Sequence, residues 1–268
     1  MATEPEDGTP APLPVTVRGT TLGAGRPAVV VPLTGATVEA LLAEVAAVLA
    51  VAEQVDLVEW RVDHLAAGLA PADVVAAGRA VTGALDAAPR RLPLLVTIRT
   101  TAEGGSADVD PPGYEAALRA AVDAGIADLL DVEVARDAAT VDRVVARAHA
   151  AGVPVVGSHH DFDRTPPREQ IAATLLAMAD LGADVLKVAV MPHDPGDVLA
   201  LLGATWDTTR RTGRPVITMA MGPLGVASRV AGGTFGSAAT FAAVGAASAP
   251  GQVGLAALRA ALDVVHPA

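Results

Sequence analysis

The 268-residue chain contains no cysteine, which excludes a disulfide-stapled fold and any thiolate metal site. Lysine is almost as scarce: of 19 lysines and arginines, Lys187 is the one lysine. Positive charge is short overall. Thirty acidic residues leave a formal net charge of -11 and a pI near 4.9, which opposes nucleic acid or an anionic membrane as a partner. Long hydrophobic runs are missing too, since Ala-rich stretches such as Val38 to Val51 are broken by Glu39 and Glu44 and none reaches the roughly 18 apolar residues of a membrane span. No Gly-x-Gly-x-x-Gly follows the first β-like run, and the single lysine lies outside any Walker-type loop, so a nucleotide cofactor has no support.

What remains is a chain 51% hydrophobic and 18% charged, enough for one large core. Met1 to Pro14 carries three acidic residues, no basic ones and several prolines. It fits neither a secretory signal nor a transit peptide, and is expected to be a disordered leader on a cytoplasmic protein. From Ala28 onward short β-branched runs alternate with Ala-rich helical stretches, the pattern of repeated βα units around a parallel sheet. Strands are expected near Ala28–Leu33, Asp56–Val62, Leu94–Arg99, Leu129–Val134, Pro154–Ser158, Val185–Val190, Pro215–Met219 and Thr234–Ser237. Eight such units without a low-complexity linker predict one α/β domain over residues 15–268, a (β/α)8 TIM barrel. The segment Val15–Leu22 reads as a β-hairpin closing the barrel bottom.

Barrel chemistry sits at the C-terminal ends of strands, and polar residues crowd there. Glu59, Arg61 and Asp63 alternate with Trp60 and Val62, which places all three on one strand face. That face suits either substrate contact or an internal ion network. Arg99 leads into Glu103-Gly104-Gly105, and Asp131 and Glu133 repeat the spacing of two, as partners for a nearby cation or as acid/base groups. Ser158-His159-His160-Asp161-Phe162 brings an imidazole with an ordinary pKa near ~6.5 to the working end, suited to general acid/base chemistry. A metal site there is disfavoured, because adjacent strand residues point to opposite faces. Lys187 occupies the sixth run. A free amine of pKa ~10.4 is neutral only about once in a few thousand molecules at pH 7; flanking Leu186 and Val188 are expected to desolvate it toward a nucleophilic, imine-forming state. A plain surface lysine left by Arg-rich composition is the other reading of the residue taken alone. Late in the chain Met219 and Met221 line the end of the seventh run, and Ser228-Arg229 with Ser248-Ala249-Pro250-Gly251-Gln252 supplies arginine, hydroxyl and amide donors suited to a carboxylate.

Taken in order, Glu59-Trp60-Arg61-Val62-Asp63, Arg99 with Glu103-Gly104-Gly105, Ser158-His159-His160-Asp161-Phe162 with Thr165-Pro166, Lys187-Val188-Ala189-Val190-Met191-Pro192, Phe235 to Phe241, and Ser248 to Gln252 resemble the type I 3-dehydroquinate dehydratase family from about Val15 to the C-terminus. The resemblance implies a lyase that dehydrates 3-dehydroquinate to 3-dehydroshikimate with neither metal nor organic cofactor. Lys187 would form the imine, His160 would shuttle protons, and Glu103 would orient His160, with His159 outward or behind it. The substrate contacts carried over are Arg229 and Gln252 to the carboxylate, Glu59, Arg61 and Arg99 to hydroxyls, and Ser248 on a closing loop, Ala246–Gly254. Met219, Met221, Phe241 and Ala249 complete the pocket wall. A homodimer is expected from the same resemblance. Pro32 departs from it, standing where a serine is expected in some relatives. A class I aldolase also uses a barrel lysine, but leaves the carboxylate grip unexplained; a non-enzymatic acid sensor would not retain both Lys187 and His160.

Overall fold

In the computed structural model, which describes residues 10–245 and 249–266, the chain opens with a hairpin of β1 (Val15–Val17) and β2 (Thr20–Leu22), paired antiparallel. Its turn places Arg18 at φ 45° and Gly19 at φ 81°, the left-handed pair that a two-residue turn needs to match strand twist. Thereafter strands and helices alternate. The strands are β3 (Ala28–Leu33), β4 (Leu57–Arg61), β5 (Leu94–Thr97), β6 (Leu129–Glu133), β7 (Val155–Asp161), β8 (Val185–Val190), β9 (Val216–Ala220) and β10 (Ala239–Ala243). Between and after them lie α1 (Val38–Leu49), α2 (Pro71–Asp86), α3 (Pro111–Asp123), α4 (Ala138–Ala150), α5 (Arg168–Asp180), α6 (Pro195–Thr209), α7 (Val226–Ala231) and, past the two-residue β11 (Val253–Gly254), α8 (Leu255–Val265).

Every strand pair in the large sheet is parallel, in the order β11-β10-β3-β4-β5-β6-β7-β8-β9. β9 closes on the approach to β10 through a parallel bridge between Val216 and Ser237, where the Ala238 N–H donates to the Val216 carbonyl at 2.7 Å. That bridge curls the sheet into the expected TIM-type barrel. Outward strand residues such as Val58, Trp60, Val96 and Val132 pack beneath α1 to α4 in one cluster, and Leu186, Val188 and Val190 beneath α5 and α6 in another. Inward apolar residues, Val30, Leu57, Leu95, Leu129, Val156, Val185 and Ile217, fill the floor of the barrel, and Val17 and Leu22 of the hairpin pack against them from below. Each such side chain contributes about 1.5–3 kcal/mol by leaving water. The hairpin therefore closes the bottom, as its sequence predicts.

Seven strands lie where the sequence places them, to within a few residues. The eighth does not. Thr234–Ser237 is not a strand: Gly232–Phe235 forms a 3-10 turn that ends on Gly236 at φ 98°, and the strand follows as Ala239-Thr240-Phe241-Ala242-Ala243. Small alanines suffice there because both faces are covered, so the β-branched signal used for the other strands is absent. Met1 to Thr9 of the expected leader lie outside the described residues; at its other end the Leu13 N–H donates to the Gly213 carbonyl at 2.7 Å. Among the described residues no helix is long and apolar enough to cross a membrane.

Candidate active site

Side chains alternate along a strand, so the residue two beyond each floor residue also faces the interior. Stepping from Leu57, Leu95, Leu129, Val156, Val185 and Ile217 reaches Glu59, Thr97, Asp131, Ser158, Lys187 and Met219. Apolar floor thus gives way to a polar storey within one pleat. Above it a cavity of about 150 Å³ opens at the C-terminal ends of the strands, with Lys187 at its base.

Lys187 is 3% exposed. Its Nζ donates to Asp131 Oδ2 at 3.1 Å, lies 3.7 Å from Glu59 Oε1 and stands 5.1 Å from the centre of the Phe241 ring. The burial matches the sequence reading, but its cause does not. Leu186 and Val188 face away from the amine into the helix layer; the barrel interior, through Phe241, Ala189 and Met219, is what shields it. Asp131 is the lysine's direct partner, the neutralising role that its spacing with Glu133 suggests. Burial works against ionising Asp131, yet Arg99 and then Lys187 hold its carboxyl well below the ordinary range.

Arg99 is the hub of the wall on the β5 to β7 side. Its guanidinium donates to Asp131 at 2.8 Å, Glu133 at 2.9 Å, Ser158 Oγ at 3.1 Å and Glu103 at 3.2 Å, all of them buried. Glu133 also accepts from the Thr100 N–H and hydroxyl and its carboxyl is raised by burial, against the pull of Arg99. Charges this deep persist only when paired and hydrogen-bonded. Arg99 lines the cavity, but it is first the centre of this network.

Glu103 reaches this network from the loop after β5. Gly104 at φ 75° ends its turn, and a side-chain carbon there would collide with the Phe162 ring; at Gly105 one would collide with the Arg99 carbonyl. The loop can close over Arg99 only with two glycines. Glu103 Oε2 accepts from His160 Nδ1 at 2.9 Å and from the His160 N–H at 3.1 Å, while Oε1 accepts from His159 Nδ1 at 3.1 Å. Burial alone would raise this carboxyl, but the two imidazoles and Arg99 draw it down to about 2. An ionised carboxylate only accepts, so each Nδ1 carries the proton and His160 Nε2 is left as a bare base. Burial first, then the charge of Arg99, lowers His160 to about 3, which keeps the ring neutral and ready to take a proton.

The opposite wall is different. Arg229, 2% exposed on the short α7, donates to the Pro250 carbonyl at 3.1 Å and touches Met219 sulfur at 4.0 Å; among the described residues no carboxylate pairs with it and its Nε has no partner. Burial without a counter-charge lowers it to about 10. Such a cation is complete only when an anion joins it. Gln252, Ala249, Met221 and Phe241 share this side of the cavity.

The structure therefore brings Lys187, His160, Glu59, Arg61, Arg99, Arg229, Gln252, Met219, Met221, Phe241 and Ala249 to one cavity, with Glu103 directly behind His160. Ser248 and the Ala246–Ala247 part of the expected closing loop lie outside the described residues. Asp63 follows the ion-network reading but leaves the strand face expected for it: β4 ends at Arg61, and the 3-10 turn Val62–His64 folds Asp63 back to accept from Arg61 Nε and Nη2 at 2.8 and 2.7 Å and from the backbone N–H groups of Arg99 and Ser106. It braces loops rather than facing the cavity. Residues the sequence reading left out of the site are Ala189, Phe162 and Pro250, which line the cavity, and Ser158, which donates to Asp131 at 2.7 Å. Ala189 had a signal, since it stands two residues beyond Lys187 on the same face.

Together these features define a barrel enzyme whose one lysine lies buried in a cavity shared by a histidine and by an arginine that no carboxylate pairs among the described residues. Residues 29–268 match the type I 3-dehydroquinase family. The chain is 45% identical over 252 residues to 3-dehydroquinate dehydratase of Klebsiella pneumoniae, covering 94% of this chain and 98% of that one, and 43% identical over 249 residues to that of Lactiplantibacillus plantarum, covering 93% and 96%. A crystal structure of type I 3-dehydroquinate dehydratase from Clostridium difficile with covalently modified comenic acid superposes with a TM-score of 0.89 at 36% identity, covering 95% of this chain and 98% of that one. The chain belongs to the type I 3-dehydroquinase family, and with it to the carbon-oxygen lyases of the shikimate pathway.

Proposed function

We propose that the chain removes water from 3-dehydroquinate to give 3-dehydroshikimate through an imine on Lys187. The observation that carries this is the position of the chain's one lysine at the base of a cavity whose walls hold a neutral His160 and an Arg229 that no carboxylate pairs among the described residues. Arg229, with Gln252 and Ser248, grips the substrate carboxylate, and Glu59, Arg61 and Arg99 meet its hydroxyls. Lys187 Nζ passes a proton to His160 Nε2 and adds to the ketone carbon, and the carbinolamine takes that proton back as its oxygen leaves as water, which gives an iminium. That positive nitrogen acidifies the adjacent C–H. His160 Nε2 takes the proton, and the electron pair released pushes out the hydroxyl one carbon further on; His160 returns its proton to that oxygen, which leaves as water. Hydrolysis of the conjugated iminium consumes the water lost at its formation and frees the amine, so one water is lost overall. Glu103 holds His160 in the Nδ1-protonated form throughout.

Borohydride reduction in the presence of 3-dehydroquinate, followed by peptide mass mapping, is expected to trap the substrate on the Lys187 peptide and nowhere else in the chain. No adduct overturns the reading. Lys187→Met is expected to lower turnover by more than about a thousandfold while thorough chelation leaves it unchanged. The working form on this reading is a cytoplasmic homodimer. Leu199 and Trp206, seven residues apart on α6, are 69% and 46% exposed and supply an apolar face for such contact; sedimentation equilibrium checks it.

A further inference from the structure

His159 lies beside the proton-transferring residue but is not one of the cavity-lining side chains. By strand alternation Ser158 and His160 face the barrel interior, and His159 starts from the other face of β7. Its ring nevertheless returns to Glu103. The two oxygens of that carboxylate are divided: Oε2 takes His160 Nδ1, the His160 N–H and Arg99, whereas among the described residues Oε1 takes His159 Nδ1. The loop backbone carrying Glu103 is already fixed, with the Glu103 and Gly105 N–H groups both donating to the Thr100 carbonyl and Thr101 N–H to Ala107. The one freedom left is rotation of the carboxylate about its own axis. His159 and Arg99, on different oxygens, remove it.

We propose that His159 is a positioning residue for the dehydration, setting both the orientation of Glu103 and the share of its negative charge that reaches His160. This rests on the reading of His160 as the base. The His159 side chain is 32% exposed where that of His160 is 11% exposed, so solvent protons reach it. The charged groups facing it are Glu103 from the loop after β5, Arg99 from β5 and Asp161 on its own strand; the hydrogen bond to Glu103 raises its pKa above the ordinary histidine value, against burial. Protonated, His159 takes up the charge of Glu103 and leaves His160 a weaker base. Neutral, it still donates through Nδ1, and Glu103 again supports the proton that His160 accepts. Turnover is thus expected to fall on the acid side as His159 charges, at a pH above the range in which His160 itself would protonate.

The test compares pH profiles of kcat and KM for the wild type, His159→Asn and His159→Leu, with borohydride trapping of 3-dehydroquinate on each. Asparagine keeps an N–H near the Nδ1 position and cannot titrate. His159→Asn is expected to hold kcat within about threefold of wild type at pH 8 and to lose the acid limb, while His159→Leu loses about tenfold or more in kcat at every pH with KM little changed, the scale seen for hydrogen-bond partners behind a working histidine. All three proteins are expected to trap substrate on Lys187. An acid limb unchanged in His159→Asn overturns the proposal, and so does a His159→Leu enzyme with wild-type kcat. Should His159→Leu fail to fold, the asparagine profile alone decides. If the wild type itself traps no substrate, the imine reading falls and this inference with it.

Discussion

Two arginines face one cavity from opposite sides, and they are built on opposite principles. Arg99 is saturated, with Asp131, Glu133, Glu103 and Ser158 all within 3.2 Å. Arg229 is equally buried but among the described residues meets a carbonyl and a sulfur and no carboxylate. The first wall is hydrogen-bonded throughout before any ligand arrives and serves as a rigid mount for Lys187 and His160. The second carries a buried cation that no carboxylate pairs among the described residues, a burial that costs fold stability and that a bound carboxylate would offset on the proposed reading. Rigidity and affinity are separated in space.

Removing each arginine is the direct way to break this contrast. Arg99→Ala strands three buried carboxylates and is expected to cost about 3–5 kcal/mol of unfolding free energy, read as a large drop in denaturation midpoint along with lost activity. Arg229→Ala is expected to change stability by less than about 1 kcal/mol while lowering kcat/KM about a hundredfold or more, the cost of an unpaired substrate carboxylate. Equal stability losses in the two variants would erase the distinction.

Acid sharpens it. Glu103, on the saturated wall, is held at about 2 against an ordinary value of 4.5. A carboxyl depressed in the folded state stabilises the fold fully above its unfolded value and loses that contribution as pH falls through the folded one. Between about pH 4.5 and 2 the wild type is therefore expected to lose about 3 kcal/mol relative to Glu103→Gln, measured by denaturant unfolding at each pH. Parallel pH dependence in the two proteins would show that Glu103 carries no such charge-linked stability.

Most of the saturated wall was legible as sequence, because strand alternation converts spacing into facing: Glu59, Arg61, Asp131 and Lys187 declare their side of the sheet by standing two residues from another inward position. What spacing does not convey is reach across strands. That Asp131 binds Lys187, and that Glu103 spans past β6 to hold two imidazoles on β7, depends on closure between residues 56 or 57 positions apart. The same logic corrects the account of Lys187. Its sequence neighbours Leu186 and Val188 belong to the helix layer, and its shielding comes from strands far along the chain. The eighth strand escaped for a compositional reason, since alanine packs where space is tight without advertising a β conformation. Arg229 stood out by residue type as a donor for a carboxylate, but its helix is six residues long and carries no pattern that shows which way it faces.

The hairpin at the start of the fold has a consequence for traffic. With Val17 and Leu22 plugging the far end of the barrel, the reaction chamber is a cul-de-sac. The ketone, the expelled water and the finished product all use one mouth, so whatever covers that opening governs arrival and departure together, and a molecule tethered to the lysine blocks both.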